Sequence, residues 1–203
     1  MLRYLALGDS YTIGEGVEAE DRWPVRLVRA LRHDDIAIAE PRIVAATGWT
    51  TDELAAGIAA AQPLGHFDLV SLCIGVNDQY RGRSLAEYRA QLEPLLRTAV
   101  QLAGGRSERV LMLSIPDWGA TRFARDEGHD AHHVGREIDA FNHAAQDMCE
   151  SRRIAFVDIT PASREDGDSP SMLTSDGLHP SRAMYARWVE IALPAVHGLL
   201  GAE

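Results

Sequence analysis

The feature that most limits how this chain can fold is a series of short apolar runs, each closed by a glycine, a proline or a polar residue. Residues 2–7, 67–74, 110–115 and 154–159 are largely continuous rather than alternating, the pattern of strands buried on both faces, and 36–46 is a further strand region interrupted by Pro41. Between these runs, apolar residues recur at helical spacing over 23–31, 50–61, 84–103, 134–152 and 181–200. Ser84 with Glu87 forms the capping box of the third helix, Thr50 or Thr51 caps the second, and Pro94 and Pro194 are expected to kink their helices. The 161–175 stretch reads as a polar loop. Five strands alternating with five helices predict an α/β fold in three layers, a five-stranded parallel sheet covered on both faces and joined by right-handed crossovers. Ligand groups should then collect at the C-terminal ends of the strands.

At 203 residues the chain fits one domain spanning 1–203. Acidic residues outnumber basic ones by 30 to 20, and the formal charge of -10 argues against phosphate backbones and anionic bilayers as partners. No apolar run approaches the ~20 residues that span a bilayer, so no stable membrane insertion is expected. The first residues lack the apolar region and cleavage site of a secretory signal, which points to a cytoplasmic location. Cys73 and Cys149 lie in apolar segments and read as reduced, structural residues. The oligomeric state is not legible.

Every polar signature of interest sits at a predicted strand end or helix start: Ser10, Gly48, Gly75-Val76-Asn77-Asp78, and Asp176-Gly177-Leu178-His179. A serine hydroxyl becomes a nucleophile only when a base takes its proton, and the base needs a partner that fixes its tautomer and stabilises the cation. Asp176 and His179, three residues apart on a turn, can supply base and partner locally, with Ser10 brought near by the fold. Acyl transfer also needs donors for the oxyanion; the backbone N–H groups of Ser10 and Gly48 and the side-chain amide of Asn77 are of the right type. Asp158, at the end of the last strand, is a second candidate for the acid. The G-x-S-x-G elbow of α/β-hydrolases is absent.

These residues resemble the SGNH hydrolases, the GDSL-like esterases and lipases. Gly8-Asp9-Ser10-Tyr11 is similar to the first block of that family, Gly48 to the second, Gly75-Val76-Asn77-Asp78 to the third and Asp176-Gly177-Leu178-His179-Pro180 to the last. The resemblance spans nearly the whole chain in the right order and departs from it at Tyr11, where the named motif has leucine. It implies a flavodoxin-like fold, nucleophile Ser10, oxyanion donors Ser10, Gly48 and Asn77, and the pair Asp176 and His179, with no metal and no cofactor.

The expected activity is a serine esterase working through an acyl-enzyme on small acyl esters. Beyond residues 117–135 the chain has little length left for a large lid, which predicts an open groove that favours short or accessible acyl esters. Lysophospholipase, thioesterase and carbohydrate O-acetyl esterase activities are alternatives within the class; an acyltransferase or a non-catalytic binding domain are alternatives outside it. Trp49, Tyr80, Trp118 and Phe123 lie in loops on the site side and either line a substrate pocket or pack the loops. Arg81 and Arg83 beside Asn77 can meet an anionic group or simply solvate their loop. His129, His132 and His133 match no strong zinc spacing, and Asp166-Gly167-Asp168 lacks the remaining ligands of a calcium loop.

Overall fold

In the computed structural model, which describes residues 1–201, five strands pair in parallel in the order β2-β1-β3-β4-β5. They are β1 (Tyr4–Gly8), β2 (Arg42–Ala45), β3 (Leu69–Cys73), β4 (Val110–Leu113) and β5 (Ala155–Val157). This is the doubly wound, flavodoxin-like order, and the expected three-layer α/β architecture is what forms. Every residue of β1, β3 and β4 is buried, which is why those strands read as unbroken apolar runs. The edge strands β2 and β5 are only partly covered. Pro41 shapes the first of these edges. Chain pairing begins early, with Leu2 and Ala39 donating to Ala37 and Leu2 carbonyls, lapses around Pro41, which has no N–H, and resumes with β2.

The helices are α1 (Ser10–Ile13), α2 (Trp23–His33), α3 (Thr51–Ala60), α4 (Val76–Tyr80), α5 (Leu85–Leu102), α6 (Arg122–Asp126), α7 (Ala131–Glu150), α8 (Thr160–Asp166) and α9 (Arg182–Gly201). α2 packs on α9 in one layer; α3, α5 and α7 pack in succession in the other. Trp23 and Leu27 of α2 and Tyr185 and Trp188 of α9 are fully buried between sheet and helices. A fully buried aliphatic side chain such as Leu27 contributes about 1.5–3 kcal/mol by leaving water. The Tyr4 hydroxyl, deep in the sheet, is satisfied by Ser71 Oγ at 2.7 Å.

The predicted capping box of Ser84 with Glu87 forms on α5, and of the two cap candidates on α3 Thr50 takes the place, in a second capping box with Glu53. α5 and α9 continue past Pro94 and Pro194. The 161–175 stretch is not all loop, because it opens with α8. Pro161 sits in the first turn of that helix, where a missing N–H costs nothing. α7 begins a few residues ahead of the expected start, since the Asp130 side chain accepts from the backbone N–H groups of His132 and His133. The short helices α1, α4 and α6, too brief to show a period, all follow strand ends and shape the crevice there.

Candidate active site

In the observed strand order the connections from β1 and β3 leave in opposite directions, so a crevice opens at their C-terminal ends. Ser10 stands at the first position of α1, directly above β1, and is 5% exposed. Its approach is fixed by close packing. A Cβ on Gly8 would meet the Cys73 carbonyl at 2.5 Å and Thr12 Oγ1 at 2.2 Å, so only glycine lets β1 run this close to β3. Asp9 then caps α1, its Oδ1 accepting the Tyr11 N–H at 3.0 Å. The other oxygen, Oδ2, is buried without a partner. Burial pushes the Asp9 carboxyl up to about 8 against the opposing Tyr11 N–H, so it is protonated at neutral pH.

Gly48 follows β2 with φ +83°, a conformation that costs L side chains and suits glycine. Its loop is fastened to α4 by several bonds. Asn77 Nδ2 donates to the Trp49 carbonyl at 2.9 Å, and Arg81 Nη2 donates to the Gly48 carbonyl at 2.6 Å. The fully buried Asp78 carboxylate accepts from Thr51 N at 3.0 Å and Thr51 Oγ1 at 2.8 Å. Arg83 Nη1 bridges Asp78 and Asp52 from outside, at 3.2 and 2.6 Å. Burial raises the Asp78 carboxyl more than Thr51 and Arg83 lower it. Asn77 spends one amide hydrogen on Trp49 and keeps the second.

Asp176 and His179 share one tight turn. Asp176 Oδ2 lies 2.6 Å from His179 Nδ1, while Oδ1 accepts from Leu178 N, His179 N and Thr174 Oγ1 at 2.9, 3.0 and 2.7 Å. Burial alone would raise the Asp176 carboxyl, but these hydrogen bonds, His179 foremost, outweigh it and hold the group at about 2. An ionised carboxylate only accepts, so the hydrogen of this pair sits on Nδ1, and the neutral ring presents a lone pair at Nε2. The turn closes through Thr174 N on the His179 carbonyl at 2.8 Å and an antiparallel bridge between Leu173 and Pro180. Phe123 N, at the start of α6, donates to the Gly177 carbonyl at 3.0 Å. Tyr11 stands edge-on to the imidazole at 5.8 Å and to Trp188 at 5.9 Å.

Ser10, Gly48, Asn77 and His179 line one cavity of about 230 Å³, with Tyr80, Trp118 and Phe123 forming an apolar flank. Asp176 stands just behind His179. Among the described residues no hydrogen bond joins the Ser10 hydroxyl to His179, a link that often tightens only when substrate is bound. Trp49 departs from expectation. It does not line the cavity; its indole lies over Gly57 of α3, which has no side chain to displace it. Asp158 lies elsewhere too, accepting from Ser114 Oγ at 2.9 Å and Thr160 N at 3.0 Å at the start of α8.

The histidine-rich segment is divided between two jobs. His129 packs edge-on to Trp118 at 4.9 Å, and His133 faces Glu137 one turn along α7. Asp166 and Asp168 pair with Arg187 and Arg125. Asp78 and Gln79 also contribute to the site, and their standing in the same short block as Asn77 is the one sign of it in the sequence. Asp78 acts through Thr51, 27 positions away, and only the fold reveals that partner.

Comparison with known proteins bears on the family and the fold. Residues 6–187 match the GDSL-like Lipase/Acylhydrolase family. No curated protein matches the chain. Among solved structures, TesA superposes with a TM-score of 0.77 at 21% identity, covering 98% of this chain and 99% of that one. The psychrotrophic esterase EstA from Pseudoalteromonas sp. gives 0.76 at 17% identity over 100% of both chains. A variant of Axe2, an acetyl xylan esterase from Geobacillus stearothermophilus, gives 0.73 at 22% identity over 96% and 94%. These likenesses establish the fold. The family match, over residues 6–187, shows that the chain belongs to the GDSL-like lipase/acylhydrolase family.

Proposed function

We propose that the chain hydrolyses esters with short or accessible acyl groups through a covalent acyl-enzyme, with Ser10 as nucleophile, His179 as general base and Asp176 as the acid that orients it. The observation that carries this reading is the 2.6 Å contact between His179 Nδ1 and an ionised Asp176, on the wall of the cavity that Ser10 also lines. His179 Nε2 takes the Ser10 proton as Oγ bonds to the ester carbonyl carbon, and the electron pair moves onto the carbonyl oxygen. The Ser10 and Gly48 backbone N–H groups and the free Asn77 amide hydrogen receive that oxyanion. Collapse of the adduct breaks the bond to the leaving alcohol, which departs with the proton from His179. Water, deprotonated by His179, then attacks the acyl-enzyme and the same sequence releases the acid and restores Ser10.

The clamps on Gly48 and Asn77 support the donor assignment, because donors that are already fixed need no reorganisation as charge develops. The apolar flank of Tyr80, Trp118 and Phe123 suits the acyl group, and the modest cavity suits a compact one. The test is a panel of p-nitrophenyl esters from acetate to decanoate with the wild type and Ser10→Ala. Activity should be highest on acetate or butyrate and vanish in the variant. Wild-type turnover in Ser10→Ala would overturn the nucleophile, and faster turnover of decanoate would overturn the acyl preference.

A further inference from the structure

Gln79 takes no part in the chemistry above, yet it is 6% exposed and both ends of its amide are engaged. Its Oε1 accepts the Trp118 indole N–H at 2.7 Å, and its Nε2 donates to Glu137 Oε2 at 2.8 Å. Trp118 is 4% exposed and forms part of the cavity flank. Two more rings meet it edge-on, Tyr80 at 5.3 Å and His129 at 4.9 Å. Ring contacts of this kind fix tilt weakly, whereas an indole N–H is a single directional donor that a buried site must satisfy. Gln79 therefore ties three elements together: α4, on which it stands with Asn77; the turn at Trp118–Ala120; and α7, through Glu137. The same short helix carries an oxyanion donor candidate and sets the position of the opposing apolar wall.

We propose that Gln79 is a positioning residue for acyl selection, holding the Trp118 indole at a fixed distance from Ser10 so that the cavity admits compact acyl groups and turns away longer ones. This rests on the reading of the cavity as the acyl site. An apolar residue at 79 leaves the indole N–H unpaired and frees the ring to swing, which enlarges the cavity without touching a catalytic group. Trp118→Phe removes the N–H itself, so in that background Gln79 has nothing left to hold.

The experiment measures kcat/KM for p-nitrophenyl acetate and octanoate in the wild type, Gln79→Met, Trp118→Phe and the double variant. Methionine matches the length of glutamine without its polar atoms. The acetate-over-octanoate preference should fall about fivefold in Gln79→Met, with acetate turnover kept within about threefold of wild type. The double variant should match Trp118→Phe alone, because two residues acting through one contact are not additive. An unchanged preference in either single variant, or effects that multiply in the double variant, would overturn the inference. Should Gln79→Met fail to fold, Glu137→Ala releases the outer end of the amide from a half-exposed site, and a shift of about twofold in the same direction is expected. No shift there would also overturn it. Ser10→Ala separates the two levels: a variant that keeps activity defeats the acyl-site reading, whereas an inactive variant beside unchanged preferences defeats only the role of Gln79.

Discussion

Gly48 and Asn77 stand in a region bonded across long stretches of sequence, whereas Asp176 and His179 occupy a turn bonded mostly to itself. On the first side the fully buried Asp78 reaches Thr51, Asn77 reaches Trp49 and Arg81 reaches Gly48, so the loop after β2 and the helix after β3 are one body. On the second side Asp176 accepts from Thr174, Leu178 and His179, all within three residues, and its side chain is 42% exposed. Stabilising a developing charge needs dipoles that cannot relax, which calls for a fold-wide frame. Orienting an imidazole needs one hydrogen bond, which a turn supplies alone.

The comparison can be broken most severely at the residue that faces both sides. Ser10→Ala should lower kcat by about 10⁴-fold or more, leaving the residual rate that binding and oxyanion donors give without a nucleophile. Asn77→Ala should lower kcat about 10²–10³-fold with KM nearly unchanged, the mark of an interaction made in the transition state. A rise in KM at constant kcat would instead place Asn77 in ground-state binding. Asp176→Asn should cost less, about 10²-fold, because solvent reaches this exposed turn and partly replaces the lost carboxylate. A loss equal to that of Ser10→Ala would show that the turn is as rigidly built as the other side.

The two sides also carry carboxyls displaced in opposite directions, and stability against pH should separate them. Asp9 is raised to about 8 in the fold, so the stability it contributes is full below about pH 4 and is lost as pH rises through 8. Asp9→Asn, neutral throughout, should therefore gain in Tm on the wild type between pH 5 and 9. Asp176 is lowered to about 2, so its contribution is present above about pH 4 and is lost as pH falls through 2. The Tm deficit of Asp176→Asn should accordingly shrink from pH 5 to 2. The smallest effect is expected for Gly48→Ala, destabilised by about 1 kcal/mol through its positive φ. Denaturant unfolding would measure it.

How much was legible follows the same division. The four blocks could be read because acyl transfer demands particular side chains, and because strands buried on both faces advertise themselves as apolar runs that mark where those blocks must lie. The pairing of Asp176 with His179 is legible, since donor and acceptor are near neighbours in sequence, while the support from Thr174 and the Leu173–Pro180 bridge is not. Asp78 is visible in the sequence only as part of a motif, because its work is done on Thr51 through tertiary contact. Trp49 misled for a related reason: an aromatic residue beside a site glycine looks like a pocket wall, but the bare backbone of Gly57 gave its ring a place to pack. α8 was hidden by Pro161, which ends helices in most positions and begins them in one. Gln79 left one usable trace, a tryptophan near the site whose N–H would need an acceptor.

Placing the proposed acid and base on one turn has a mechanical consequence. A triad assembled from three separate elements has three mutual placements to maintain, and an error in any of them is costly. Here the bonds within the turn hold Asp176 and His179 in register with each other, so a displacement of the turn would change their joint distance from Ser10 and leave the pair intact. The hydrogen bonds from Thr174, Leu178 and His179 would follow the Asp176 carboxylate through such a displacement, so its charge stays solvated by its own turn.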